Sequence, residues 1–273
     1  MGRHALNAPR LAAIATPRYR AVMAQIDLNA DVGEGMALDA GLLGIVTSAN
    51  VACGGHAGDR VTIRATLKLA REHGVTVGAH PGWPDRGHFG RQRLTWPVAD
   101  LRATFFAQIA DLQGAALETG WPVRYVKLHG ALANQVAEDE ALAQTVAAWV
   151  RETGLGWLVM ARTAMERAAE RAGVPARLEA FADRSYTPQG LLTPRDQPNA
   201  VLHEPNAVAA RALMMLERQS LPLADGTWLP TRIDSLCVHG DTPDALVIAQ
   251  TLRIALQGAG WQVISLQWPV CAG

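Results

Sequence analysis

The chain has 273 residues, 49% of them hydrophobic and 18% charged, a composition that buries a sizeable core and excludes global disorder. Lys and Arg total 25 and Asp and Glu total 25, so no net field recruits nucleic acid or an anionic membrane surface. No apolar run reaches the roughly 20 residues that span a bilayer, and Cys53, Cys237 and Cys271 form no even framework and no C-x-x-C pair, which points to a reducing cytoplasm.

Residues 1–22 carry Arg3, Arg10, Arg18 and Arg20, no acidic residue, and no apolar core long enough for a secretory leader. We expect a flexible N-terminal arm there, with an organellar transit peptide as the alternative. Met23 precedes the first strand-like run and offers another start, so the arm need not be native. Residues 23–273 are expected to form one catalytic domain.

From residue 25, β-like runs alternate with helix-period segments, the pattern of a parallel sheet or a barrel. Strands are expected at 25–30, 46–52, 75–79, 124–128, 156–160, 177–181, 233–238 and 262–266. After the second, Asp59 can cap a helix, Ile63, Leu67 and Ala70 share one of its faces, and Gly74 ends it. Pro97 opens a longer helix through Leu101, Phe105, Ile109 and Leu112, stopped by Gly120 and Pro122. Further helices are expected at 138–153, 161–172, 206–218 and 243–258. Pro188, Gly190, Pro194, Pro198 and Pro205 break the pattern over 184–205, which predicts an extended loop or hairpin beside the site.

Polar clusters close six of the apolar runs: Asn29 to Glu34, Asn50 to Asp59, Gly78 to Gly82, Lys127 to Ala131, Phe181 to Arg184, and Val238 to Asp241. In a β/α barrel the C-terminal strand ends share one rim, and that rim carries the chemistry. The chain therefore reads as an enzyme.

Four of eight histidines, His56, His80, His129 and His239, lie in these clusters. With Asp31 nearby they can bind a divalent metal or shuttle protons, although none falls in the H-E-x-x-H spacing. Among the carboxylates, Asp27 is expected to point into a barrel lumen. Asp59 reads equally as a helix cap. Asp31, Asp183 and Asp241 have no such structural role and rank as general acids or bases. Lys127 and His129 share a strand face, where the lysine can stabilise an oxyanion or hold an anion.

Cys53 is read as a packed strand-end residue before a nucleophile, and Cys237 as core. The chain holds no G-x-S-x-G elbow, P-loop or G-x-G-x-x-G fingerprint. Any use of ATP must then come from an unfamiliar site or from another subunit.

These blocks, in this order, together with Phe89-Gly90-Arg91, resemble the LamB/YcsF family over residues 25 to 258. The resemblance implies a seven-stranded β/α barrel similar to the glycoside hydrolase/deacetylase superfamily. It also implies ATP-dependent hydrolysis of 5-oxoproline to L-glutamate within a multi-subunit 5-oxoprolinase, alongside partner subunits B and C, with ATP and Mg²⁺ handled by the complex. The expected catalytic set is Asp31, Glu34, His56, His80, Lys127, His129, Asp183, His239 and Asp241. Asn29, Asn50, Arg91 and Arg184 are expected to bind substrate, and Asp31, His56, His80 and His129 are the candidates for a bound metal.

The chain departs from the family pattern at Gly55, Leu128 and Ala133, where Phe, Pro and Tyr are usual. These changes predict extra space near His56 and His129, or its filling by Trp83. Two rival readings share the same residues: a stand-alone metal-dependent amide hydrolase or deacetylase, and a non-catalytic lactam-binding subunit.

Overall fold

The computed structural model describes residues 24–238 and 244–268. The arm expected over 1–22, and His239 and Asp241 with it, lie outside the described residues.

Seven parallel strands close on themselves: β1 (Gln25–Val32), β2 (Ser48–Ala52), β3 (Thr76–His80), β4 (Val123–Val126), β5 (Gly156–Met160), β6 (Ala176–Phe181) and, after the short antiparallel hairpin of β7 (Ser220–Pro222) and β8 (Trp228–Pro230), β9 (Ser235–Val238). β9 pairs with both β6 and β1, which completes the seven-stranded β/α barrel. β10 (Gln262–Val263) adds only two residues to the start of β1. The strand expected at 262–266 is therefore an edge appendage, because the circuit is already closed by β9.

Helices α1 (Asp39–Leu43), α2 (Arg60–His73), α3 (Val98–Thr119), α4 (Gly130–Glu138), α5 (Glu140–Thr153), α6 (Ala164–Ala172), α7 (Pro205–Arg218) and α8 (Ala245–Gly258) surround it. The caps lie where residue chemistry puts them: Asp59 accepts from the Thr62 amide at the start of α2, and Gly74 and Gly120 take left-handed conformations after α2 and α3. The helix expected at 138–153 is α5. Asp139 caps it by accepting from the Ala141 and Leu142 amides, while α4, unforeseen, precedes it and begins at the strand-end His129-Gly130. The β7–β8 hairpin was also unforeseen, its runs being only three residues each. Residues 184–205 form an irregular hairpin held by bridges Arg184 to Val201 and Tyr186 to Leu192.

Strand alternation sorts the residues. On β1, Ile26, Leu28, Ala30 and Val32 face the helices and are buried at 1% exposure or less; each contributes roughly 1–3 kcal/mol of burial. Asp27, Asn29 and Asp31 face the lumen instead, as expected for Asp27. The lumen of this barrel is polar. Its lower layer is built round Asp27, which accepts hydrogen bonds from Ser48 Oγ, Thr47 Oγ1 and Ser235 Oγ. Burial pushes the Asp27 carboxyl up to about 6 despite those donors, with Glu179 adding to the rise.

Tyr125 crosses the middle of the lumen, stacked on Trp268 below and donating to Asn50 Oδ1 at 2.7 Å. It fits because Gly78 lies opposite: a Cβ there would fall 2.2 Å from the Tyr125 ring.

Candidate active site

Directly above this layer the strand ends converge. The Lys127 ammonium, 4% exposed, lies 2.9 Å from Asp31 Oδ1 and 2.8 Å from Glu179 Oε1, and also donates to Asn29 Oδ1. Burial works against its charge, but the two carboxylates outweigh burial and raise its pKa well above the ordinary lysine value. Asn50 Nδ2 donates to both Asn29 Oδ1 and Asp31 Oδ1, each at 2.8 Å. Asp31 is thus held by an ammonium on one side and an amide on the other, its second oxygen 3.5 Å from His80 Nε2.

His80 and His129 meet beside Asp31. His80 Nδ1 lies 2.8 Å from the Lys127 carbonyl, and His129 Nε2 lies 2.9 Å from the Phe89 carbonyl. Carbonyls only accept, so each of those nitrogens carries its ring's proton. The remaining nitrogens, His80 Nε2 and His129 Nδ1, face each other at 3.0 Å. His56 stacks on His129 with ring centroids 3.5 Å apart, and its Nε2 is 3.0 Å from Glu34 Oε1, itself 3.6 Å from His129 Nδ1. Burial, then the neighbouring His80, pushes His129 down to about 3; burial, then His129 and His80, lowers His56 as well. Both rings are neutral at physiological pH. Glu34, His56, His80 and His129 offer donor atoms that all lie within 4.8 Å of one another, a cluster able to hold a metal ion.

The local backbone is shaped for this. Phe89 adopts a left-handed conformation that turns its carbonyl onto His129, and Gly90 follows in the same region, where a Cβ would meet His56 Cβ at 2.7 Å.

A cavity of about 370 Å³ opens above these groups. One wall holds Asp31, Glu34, His80, Lys127 and His129. The other holds Leu158, Met160, Met165 and Phe181, and the mouth is edged by Arg91, Arg93, Arg184 and Arg195. Arg93 is tied to Glu138 by two hydrogen bonds. Arg184 donates to the Thr193 and Ala200 carbonyls and is made less basic by burial and by the charge of Arg195. The 184–205 segment therefore does stand beside the site.

Several expectations are redrawn by this geometry. Asn29 and Asn50 are fully buried beneath Asp31 and orient it; they do not line the cavity. His56 is likewise behind His129. Asp31 bonds Lys127 and lies outside the metal-capable cluster, whose carboxylate is Glu34. Asp183 lines a separate small cavity with Leu202, His203 and Val208, because β6 ends at Phe181 and the turn carries it behind the rim. Arg91 and Arg184 do reach the mouth. Cys53 is no nucleophile: its thiol donates to the Val51 carbonyl and burial pushes it up to about 12. Cys237 is a buried core residue, as expected, and Lys127 Nζ donates to its sulfur at 3.2 Å.

Gly55 opens no space, since a Cβ there would fall 2.3 Å from Gln108 Oε1, and Gln108 is itself clamped to the Gly82 backbone. Trp83 is buried and donates to Gln135. Leu128 and Ala133 do face the cavity. Among the residues missed is Glu179. Its signal was present in the alternation of Arg177, Glu179 and Phe181 along a strand whose other face is apolar.

Residues 26–269 match the model of the LamB/YcsF family. The chain belongs to that family. Within it, the chain is 47% identical over 242 residues to the 5-oxoprolinase A subunit of Paracidovorax citrulli, covering 86% of this chain and 96% of the relative. It is 44% identical over 248 residues to the 5-oxoprolinase A subunit of Methylococcus capsulatus, covering 88% and 95%. Among solved structures, the lactam utilization protein of Thermus thermophilus superposes with a TM-score of 0.83 at 36% identity, over 89% of this chain and 100% of that one. The barrel architecture is thus shared along the whole of that protein. No described helix is long and apolar enough to cross a membrane.

Proposed function

We propose that this protein is the A subunit of a cytoplasmic 5-oxoprolinase and catalyses the hydrolytic half of ATP-dependent conversion of 5-oxoproline to L-glutamate. The observation that carries the reading is near-full-length identity of 44–47% to relatives named as A subunits of 5-oxoprolinase. The cavity agrees with it in size and chemistry: a small ring has an apolar wall to rest on, cations at the mouth suit a carboxylate or phosphate, and a charged carboxylate waits at the base.

A five-membered lactam is a poor electrophile, and the described residues carry no nucleotide-binding motif. In this reading partner subunits B and C bind ATP and Mg²⁺ and transfer the γ-phosphoryl group to the lactam oxygen, releasing ADP. Water then adds to the ring carbon as Asp31 accepts its proton. The C–N bond opens with the nitrogen taking a proton, and a second water converts the resulting acyl phosphate to glutamate and phosphate. Lys127 offsets charge developing on the oxygen. Arg91 and Arg184 hold the substrate's anionic groups. His239 and Asp241 are assigned to the same rim from the sequence.

The test is glutamate release from 5-oxoproline with ATP and Mg²⁺, for this chain alone and for its mixture with B and C. Turnover confined to the mixture supports the reading. Turnover of amides by this chain alone, without ATP, would replace it with the stand-alone amide hydrolase that the histidine cluster favours as a second reading.

A further inference from the structure

We propose that His80 Nε2, His129 Nδ1 and Glu34 bind one divalent transition-metal ion, with His56 holding Glu34 in place. His80 and His129 face each other through ring nitrogens 3.0 Å apart. The other nitrogen of each ring, His80 Nδ1 and His129 Nε2, donates to a backbone carbonyl, at 2.8 and 2.9 Å. The facing pair lies in a buried place, an arrangement that needs a proton or a metal cation shared between the two atoms. Two nitrogens each about 2.1 Å from one ion and at right angles to each other stand about 3.0 Å apart. The spacing therefore suits two adjacent positions of one coordination sphere.

The surroundings complete the case. Glu34 Oε1 is 3.6 Å from His129 Nδ1, on the side away from the carbonyls. The backbone carbonyls that fix both tautomers are the outer partners that ligating histidines ordinarily have. His56 contributes one nitrogen to Glu34 at 3.0 Å, while its ring stacks flat on His129 and limits how that ring can turn. Two imidazoles and one carboxylate leave further positions open toward the cavity, a donor set that suits Zn²⁺, Mn²⁺ or Co²⁺. An ion there supplies Lewis acidity next to Asp31 and Lys127. Binding of the ion needs no substrate, so binding and not turnover is the readout.

The experiment uses the full chain, stripped with a chelator and then titrated with Zn²⁺ or Co²⁺, with bound metal counted after dialysis and Co²⁺ followed by its visible absorption. One ion per chain is expected. His80→Gln and His129→Gln should each weaken binding by about 100-fold or more, and His56→Gln by about 10- to 100-fold. His73→Gln, on the exposed end of α2, should bind as the parent does. Should the buried variants fail to fold, ¹⁵N spectra of the parent decide: the His80 and His129 ring nitrogens must shift on metal addition while His73 does not. Substoichiometric binding by the parent, binding unchanged in folded His80 and His129 variants, or a proton bridging the two rings that persists in saturating metal would each overturn the site.

Discussion

The two walls of the cavity are built from opposite materials. The β1–β4 wall carries the titratable groups Asp31, His80, Lys127 and His129, whereas the β5–β6 wall presents Leu158, Met160 and Phe181, with Glu179 reaching across to Lys127. One wall is polar and titratable, and the other is apolar. The ion pairs of Lys127 with Asp31 and Glu179 join them. Removing that link should produce the largest effect. Lys127→Met keeps the volume but leaves two carboxylates buried without this countercharge, at a cost of about 3–5 kcal/mol in stability. Urea unfolding at neutral pH measures this, and a loss below about 1 kcal/mol would mean that the carboxylates do not depend on the lysine. The double variant Lys127→Met, Glu179→Leu should recover much of the loss, since it removes one of the stranded charges.

Asp31→Asn tests the chemical wall alone. The amide still accepts from Lys127 and Asn50, so the fold should hold, while loss of the base lowers kcat by about 10²- to 10⁴-fold with KM nearly unchanged. Measured in the assembled complex, a change in KM alone would demote Asp31 to substrate binding.

The same division explains what could be read in the sequence. Asp31, His80, Lys127 and His129 were legible because a polar cluster that ends an apolar run has few structural excuses, and because parallel strands bring such ends to one rim. The seven strands of the barrel and most helix caps were legible for similar local reasons, Asp59, Gly74 and Gly120 among them. Depth was not. Asn29 lies two residues, roughly 6–7 Å, below Asp31, and nothing in the residue type says that it orients a carboxylate in place of touching substrate. Leu158 and Met160 were invisible for the converse reason: an apolar strand residue reads the same whether it faces a helix or a cavity. Asp183 misled because a strand continued by two residues would have put it beside Phe181, but the turn intervenes. α4 was missed because its start coincides with the His129-Gly130 motif.

Below both walls, Asp27 offers a comparison of its own, a carboxyl stabilised by three hydroxyls yet destabilised by burial. Lifting it from 3.8 to about 6 makes its ionised form cost on the order of 3 kcal/mol. The folded state holds the proton more tightly than the unfolded chain does. The cost is therefore absent below pH 3.8, grows as pH rises from 3.8 to about 6, and is constant above. Asp27→Asn removes it, so the variant should gain on the order of 3 kcal/mol relative to the parent between about pH 4 and pH 7. Unfolding curves at the two pH values give the difference, and parallel pH dependences would contradict the raised carboxyl.

The smallest effect is expected at the mouth. Arg195 lines the cavity but is exposed, so solvent screens its attraction for a substrate carboxylate or phosphate to about 1 kcal/mol or less. It stands apart from the reacting carbon, and its contact should be the same in the ground state and in the transition state. Arg195→Ala should then raise KM for 5-oxoproline by up to about fivefold and leave kcat unchanged, with a fall in the salt dependence of kcat/KM as the accompanying sign. A loss of kcat at constant KM would mean instead that this arginine engages charge that develops only during reaction, and that the chemistry of the site extends from the β1–β4 wall onto the 184–205 segment.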